Sequence, residues 1–279
     1  MLDSATLDAK KPPPGPKKET PAEKRAFAQI RRAERTYAAQ LRKVAKAVDD
    51  LVKGMHPHDR EAAETLRRML ERYAELLRPW AAAQARRILA DVERREKRAW
   101  IEHARALGIG IQAELLNVPI GGVYHQLMND QVELITSLPL QAAERVHQLV
   151  SENLVTGERA EDLAKKILET GHVTKSRAML IARTETSRAS TALTQARSQF
   201  IGATHYRWMA VMDYRTRPEL GIKNFKLLNT LPMGSHRKLH GTIHAWDDPP
   251  IADPKGIRAH PGSIWNCRCY AEPVIPEGY

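Results

Sequence analysis

The longest uninterrupted helical pattern in the second half of the chain is TKSRAMLIARTETSRASTALTQARSQF, residues 174–200. Small and apolar residues recur along it at three- and four-residue intervals, which places them on one face of an α-helix. The residues on this face are Ala178, Ala182, Ala189, Leu193, Ala196 and Phe200. Because most of them are alanines, the pattern predicts a long helix that another element approaches closely.

Glu185 falls on the same face, between Ala182 and Ala189. Burial of a carboxylate is costly unless it is paired and hydrogen-bonded, so we expect a cationic partner. The candidates are Arg188, one turn away, and the arginines of DYRTRP, residues 213–218. A guanidinium can satisfy a carboxylate with two parallel bonds. The pattern therefore favours a structural clamp that holds the C-terminal segment on the helix, rather than a catalytic carboxylate.

Residues 21–108 predict a basic region of long helices. Ala, Arg, Glu, Leu and Lys dominate its composition, and Gly54 is its only internal glycine. Helix breaks are expected near GMHPHD, residues 54–59, and before Pro79, because proline disfavours helix in the residue that precedes it. The charge-rich run DVERREKR, residues 91–98, is typical of a solvated helix face.

Residues 109–138 are expected to form a connection between the helical regions on either side. They begin with the apolar segment GIGIQAELLNVPIGG, whose glycines and proline predict a connection or a short helix with tight turns. Helical patterns follow over residues 140–155 and 158–170. We expect Gly157 and Gly171 to end these two helices.

The pattern changes again near the C-terminus. HYRWMAVMD, residues 205–213, alternates and contains aromatic residues, which predicts a strand, and the rest of the chain lacks a helical period. The fold class expected is α+β, with a mainly helical N-terminal two-thirds made of long helices and a small mixed α/β C-terminal cap with irregular loops. Residues 139–279 are expected to form one domain, and the basic, proline-rich residues 1–20 a disordered tail.

The chain is basic, and most of the excess charge lies in its first half. The formal net charge is +11 at pH 7, with 44 Lys and Arg against 33 Asp and Glu. This balance predicts attraction to polyanions, either double-stranded DNA bound non-specifically or an acidic protein surface. A solvated basic surface with no role in DNA binding is an equally good interpretation. We expect no membrane span, because no run of about twenty apolar residues occurs.

Two cysteines, Cys267 and Cys269, are separated by one residue. A disulfide framework is therefore excluded, and a reducing compartment is favoured. With His236, His240 and His244 upstream, zinc is a candidate ligand, since thiolate and imidazole suit that ion. The usual spacing in structural zinc sites is wider, with two to four residues between cysteines. The interpretation favoured is buried thiols and hydrogen-bonded histidines without a metal; Cys267, Cys269 and His236 are the candidates for zinc.

A series of short motifs, in one order along the chain, resembles the phage Mu F-like head-morphogenesis family, the minor head proteins of tailed phages. The resemblance covers about residues 140–275. The motifs that carry it are ARTET at 182–186, Trp208, DYRTRP at 213–218, His236, LHG at 239–241, DDP at 247–249, Pro261-Gly262 and NCRC at 266–269. Residues 219–235 depart from the family pattern as an insertion before His236.

The resemblance implies a virion protein present in few copies, acting in head assembly and genome packaging. Its implied location is the interior of the virion head, with the host cytoplasm as the place of assembly. The partners implied are the portal protein and the major capsid or scaffold components, and no enzymatic activity is expected. The residues expected to form the structural ion pairs and the family signature are Arg183, Glu185, Trp208, Asp213, Arg215, Arg217, His236, His240, Cys267, Arg268 and Cys269.

An enzyme is the alternative. Glu185 or Asp213 would act as a base, with His236 or His240 as an acid and an arginine to stabilise a phosphate. These residue types suffice for a nuclease or for nucleotidyl or ADP-ribosyl transfer. The sequence lacks a phosphate-binding glycine loop, paired-carboxylate spacing and a nucleophile motif, which counts against this alternative.

Overall fold

The computed structural model of the chain describes residues 21–55, 60–110, 117–211 and 235–276. Long helices precede a small three-stranded sheet, which confirms the predicted α+β class. The helices are α1 (Pro21–Met55), α2 (Arg60–Ala106), α3 (Gly121–Thr156), α4 (Ala160–Leu168), α5 (Thr170–Phe200) and α6 (His236–Leu239). The strands are β1 (His205–Met209), β2 (Ile243–Ala245) and β3 (Tyr270–Val274). The predicted tail at 1–20 and the predicted site residues Asp213, Arg215 and Arg217 lie outside the described residues.

The long helices share one hydrophobic core. It joins Leu41 of α1, Leu89 of α2, Ile135 of α3 and Leu193 of α5, all fully buried. The residues of this core come from both sides of the boundary predicted between 21–108 and 139–279. The helices that precede that boundary and those that follow it are therefore packed as a single body over the described residues.

Two prolines lie inside helices. The break expected before Pro79 is wrong, because α2 continues through this residue, and α3 likewise continues through Pro139. Proline removes one backbone donor and crowds the preceding turn, which costs about 3 kcal/mol in a helix interior. Burial of Leu77 and Ala81 on either side of Pro79 offsets that cost.

The expectation of a connection over residues 109–138 is wrong from Gly121 onward. Residues 121–138 are the first half of α3, whose buried face includes Leu127, Gln131 and Ile135 at four-residue spacing. The polar Gln131 interrupts the apolar periodicity of this face, which hid the helix in the sequence. Gly157 ends the helix in a left-handed conformation, as predicted.

Gly171 does not end a helix. It lies in the first turn of α5, next to the side chain of Asp49 in α1. A β-carbon at position 171 would overlap that side chain. The glycine therefore permits close packing of α1 on α5, a function that its position in the sequence did not distinguish from helix termination.

The C-terminal cap is an antiparallel sheet in the order β2-β1-β3. His205 of β1 faces Ala245 on one side and Val274 on the other. The predicted strand is confirmed over its first five residues. One side of the sheet and the loops beyond it bury a small core that contains Tyr206, Trp208, Trp246, Cys267 and Cys269, and β3 packs against α5. No helix within the described ranges combines the length and apolarity needed to cross a bilayer.

Candidate functional site

Arg183 and Arg268, two residues of the predicted signature, meet at one carboxylate. Arg268 donates two hydrogen bonds of 2.9 Å to Glu34 of α1, one to each carboxylate oxygen. Arg183 of α5 donates a third, at 3.2 Å, and also bonds the side chain of Asn266. Helix α1, helix α5 and the C-terminal segment are therefore joined at a single buried charge cluster.

Glu34 is ionised in this cluster. Burial by itself would raise its pKa, but the hydrogen bonds and charges of Arg268 and then Arg183 outweigh burial and hold the pKa below 4.5. Glu34 was not predicted as a site residue because it lies in a charge-rich helix. Its spacing from Ala38 and Leu41 places it on the apolar face of α1. This spacing was the feature of the sequence that could have indicated its burial.

The segment that carries Arg268 lies directly on α5. The backbone N–H of Asn266 donates to Thr184 Oγ1 at 2.9 Å, and Thr191 donates to the carbonyl of Pro261 at 2.7 Å. Gly262 has a φ of 83°, and a β-carbon there would lie 2.8 Å from the carbonyl oxygen of Ser187. The close approach predicted for the small-residue helix is thus made by the Pro261-Gly262 and Asn266–Cys269 motifs.

Glu185 is buried, with 3% of its surface exposed, as its position on the helix predicted. Its nearest hydrogen-bond donor is Gln131 of α3, whose Nε2 lies 2.9 Å from the carboxylate. Tyr37 of α1 in turn donates to Gln131 Oε1 at 2.6 Å. A buried chain of hydrogen-bonded polar groups therefore runs from α1 through α3 to α5. The side-chain amide of Gln131, which links its two ends, was not predicted from the sequence.

The expected bidentate arginine clamp is not formed by Arg188. Its Nη1 lies 3.7 Å from Glu185, while its Nη2 donates to Asp130 at 3.3 Å. Burial raises the pKa of Glu185 above 4.5, although the charge of Arg188 and the Gln131 bond oppose that shift. Glu185 is accordingly a weakly paired carboxyl, whereas Glu34 is the strongly paired one.

A second ion-pair cluster, unpredicted, joins α5 to α2. The guanidinium of Arg197 is 2% exposed and contacts Glu93 at 2.7 Å and also Glu96, whose side chain is 3% exposed. The run at 91–98 is therefore not wholly a solvated face. Glu96 stands four residues from each of the buried Val92 and Trp100, and this spacing was the signal that could have found it.

His236, Cys267 and Cys269 converge beneath the sheet. His236 Nδ1 lies 3.3 Å from Cys269 Sγ and 3.5 Å from Cys267 Sγ, and its Nε2 lies 2.8 Å from the carbonyl of Ala252. Trp208 meets the imidazole of His236 edge-on, with ring centroids 5.2 Å apart. The structure therefore brings together the three residues that the sequence named as candidates for a metal.

His240 is placed apart from these contacts: its Nδ1 accepts the backbone N–H of Ala210 at 3.2 Å.

A cavity of about 610 Å³ lies between α1, α2, α5 and β3. Its lining includes Ile30, Trp100, Thr186 and Tyr270 but not Glu185. The carboxyl proposed as a base in the enzymatic alternative thus faces the polar chain to α3 and not this cavity.

Comparison with known proteins adds two observations. A protein of Haemophilus influenzae described as uncharacterized is 30% identical over 169 residues, which are 60% of this chain and 33% of the relative. The chain thus spans about a third of the length of that relative. No solved structure matches significantly.

The family comparison covers the site itself. Residues 144–272 match the family described as Phage Mu protein F like protein. The match begins within α3 and ends within β3, so it includes Arg183, Glu185, His236 and the Cys267–Cys269 segment, while α1 and α2 precede it. The resemblance inferred from the motifs is confirmed for residues 144–272, which match the Phage Mu protein F like family.

Proposed function

We propose that the chain is a minor head protein of a tailed phage or prophage that acts in head assembly and genome packaging. The observation that carries the proposal is the match of residues 144–272 to the Mu F-like family, which supports a function in phage head morphogenesis. The virion head interior is the proposed location, and the portal and the major capsid or scaffold proteins are the proposed partners.

The proposed role is structural rather than enzymatic. Glu185 is closed off by Gln131 and Arg188, and His236 and His240 each contact the backbone. Three of the four acid and base candidates of the enzymatic alternative are therefore engaged in contacts within the fold, and the fourth, Asp213, lies outside the described residues. This supports a rigid body that presents surfaces to other head components.

One surface of that body suits an anionic partner. Helix α1 exposes basic residues between positions 24 and 43 that fall within about 120° of its circumference at helical spacing. We name this the α1 basic stripe, and its members are Lys24, Arg25, Arg31, Arg32, Arg35, Arg42 and Lys43. The opposite face of α1 is buried in the core, so the stripe points outward. Packaged DNA or an acidic face of the portal is the proposed ligand of the stripe.

Purified heads test the proposal. Mass spectrometry of DNA-filled heads is expected to detect the chain in a few copies per particle, and deletion of its coding region is expected to reduce the yield of filled heads. The proposal would be abandoned if the chain is absent from purified heads and filled heads form normally without it. Cryo-electron microscopy of the chain mixed with the portal ring would then identify the contact face.

A further inference from the structure

We propose that His236, Cys267 and Cys269 form a zinc-binding site in the C-terminal cap. All three residues are buried, and one ligand atom from each lies within 4.8 Å of the other two. Imidazole nitrogen and thiolate sulfur are the ligands that zinc prefers in structural sites. This inference rests on the geometry of the cluster and is independent of the proposed role in the phage head.

The distances agree with a common coordination sphere. Zinc binds sulfur at about 2.3 Å and nitrogen at about 2.0 Å in tetrahedral geometry, which sets sulfur and nitrogen ligands about 3.5 Å apart. The two observed distances from His236 Nδ1 to sulfur are 3.3 Å and 3.5 Å. Both nitrogen-to-sulfur distances therefore match those expected between ligands of one zinc ion.

The orientation of His236 is that of a metal ligand. Its Nε2 lies 2.8 Å from the carbonyl oxygen of Ala252, which accepts a hydrogen, so Nε2 carries the proton. Nδ1 then presents its single lone pair toward both sulfur atoms. One cation in front of this lone pair can bind the nitrogen and both sulfurs together. A backbone carbonyl on the other ring nitrogen is also the usual outer contact of zinc-binding histidines.

Two backbone N–H groups point at the sulfur of Cys267. Its Sγ accepts the backbone N–H of Gly262 at 3.3 Å and that of Cys269 at 3.4 Å. These two contacts hold the sulfur in place beside His236 Nδ1. Gly262 approaches closely because it adopts a positive φ, a conformation that side chains disfavour.

The narrow Cys-x-Cys spacing does not oppose this site. Both sulfurs lie within 3.5 Å of His236 Nδ1, so Cys267 and Cys269 present them to one ligand in spite of the short spacing. Zinc here would join α6, which begins at His236, to the segment that enters β3, and would fix the loops of the cap around Trp208.

Metal analysis of the full chain, made without a polyhistidine tag and without chelators, tests the site. We expect one zinc per chain. When the metal-free chain is titrated with Co²⁺, we expect sulfur-to-cobalt charge-transfer absorption and the visible bands of a tetrahedral ion. We expect Cys269→Ser to weaken zinc binding by roughly tenfold or more, and His244→Asn, a change of a nearby histidine outside the cluster, to leave it unchanged.

Substoichiometric zinc together with no cobalt–thiolate absorption in the wild-type chain would overturn the proposal. Equal loss of zinc from Cys269→Ser and His244→Asn would also overturn it, since binding would then follow the integrity of the fold. The cobalt spectrum of the wild-type chain decides the question even if Cys269→Ser fails to fold. A melting temperature that rises on zinc addition and falls with a chelator would support a stabilising role.

Discussion

Glu34 and Arg268 are 234 positions apart in the chain and are joined by two parallel hydrogen bonds of 2.9 Å. Helix α1 precedes the region that matches the Mu F-like family, and Arg268 lies within that region. The pair therefore fastens helix α1 to the matched region. If the α1 basic stripe binds DNA or the portal, this pair fixes the position of the stripe relative to the cap.

Glu34→Ala is expected to destabilise the protein by about 3 kcal/mol or more, because the largely buried guanidinium groups of Arg183 and Arg268 lose the carboxylate that they share. Glu75→Ala is the matched control, since Glu75 forms an exposed pair with Arg72 and should change stability by about 0.5 kcal/mol or less. Urea denaturation of both variants measures the difference. Equal effects of the two substitutions would contradict the prediction.

The same carboxylate predicts a pH dependence. Its pKa is held below 4.5 in the folded state, so its stabilising contribution is present above its unfolded-state pKa and is lost as the pH falls through its folded-state pKa. The stability advantage of the wild type over Glu34→Gln should therefore be larger at about pH 7 than at about pH 3. A constant advantage across this range would show that Glu34 is not perturbed by the two arginines.

Arg197→Met should cost about 3–5 kcal/mol, because it leaves Glu96 buried and without its cation. Arg72→Met is the matched control at an exposed position and should have little effect. Thermal unfolding compares the two. A double variant, Arg197→Met with Glu96→Leu, should recover much of the loss, since it removes both buried charges. If the double variant is no more stable than Arg197→Met, the loss of stability comes from altered packing and not from the buried charge of Glu96.

Residue spacing predicted burial but not partners. Glu185 was located on the buried face of α5 because its own helix has a clear period, and Cys267, Cys269 and His236 were grouped by chemistry. Gln131, in contrast, lies 54 positions upstream in a segment whose pattern favoured a connection. Glu34 and Arg197 resemble solvated charges in helices rich in them, so only the packing of α1 and α2 on α5 reveals what they contact.

Glu185→Gln tests the structural interpretation of that residue. Because burial raises the pKa of Glu185, its charged form costs stability, and this cost grows as the pH rises from about 4.5 through the folded-state pKa. The amide that the substitution introduces is neutral and can still accept the hydrogen bond from Gln131. The variant should therefore gain stability relative to the wild type between about pH 4 and about pH 7, by urea denaturation. A folded variant that lost an enzymatic activity would instead favour the enzymatic alternative.

The α1 basic stripe predicts binding to DNA that depends steeply on salt. Each phosphate contact releases condensed counterions and adds about 0.9 to the slope of log affinity against log salt concentration. Substitution of Arg31, Arg35 and Lys43 by Gln should therefore lower affinity for duplexes of any sequence and reduce that slope by up to about 3. The control replaces Arg72, Arg94 and Lys165 by Gln, which changes the net charge equally at exposed positions on other helices. Fluorescence anisotropy over a series of salt concentrations measures both sets. Equal losses in the two sets would assign binding to net charge alone, and no binding by the wild type at about 50 mM salt would remove DNA as the ligand of the stripe.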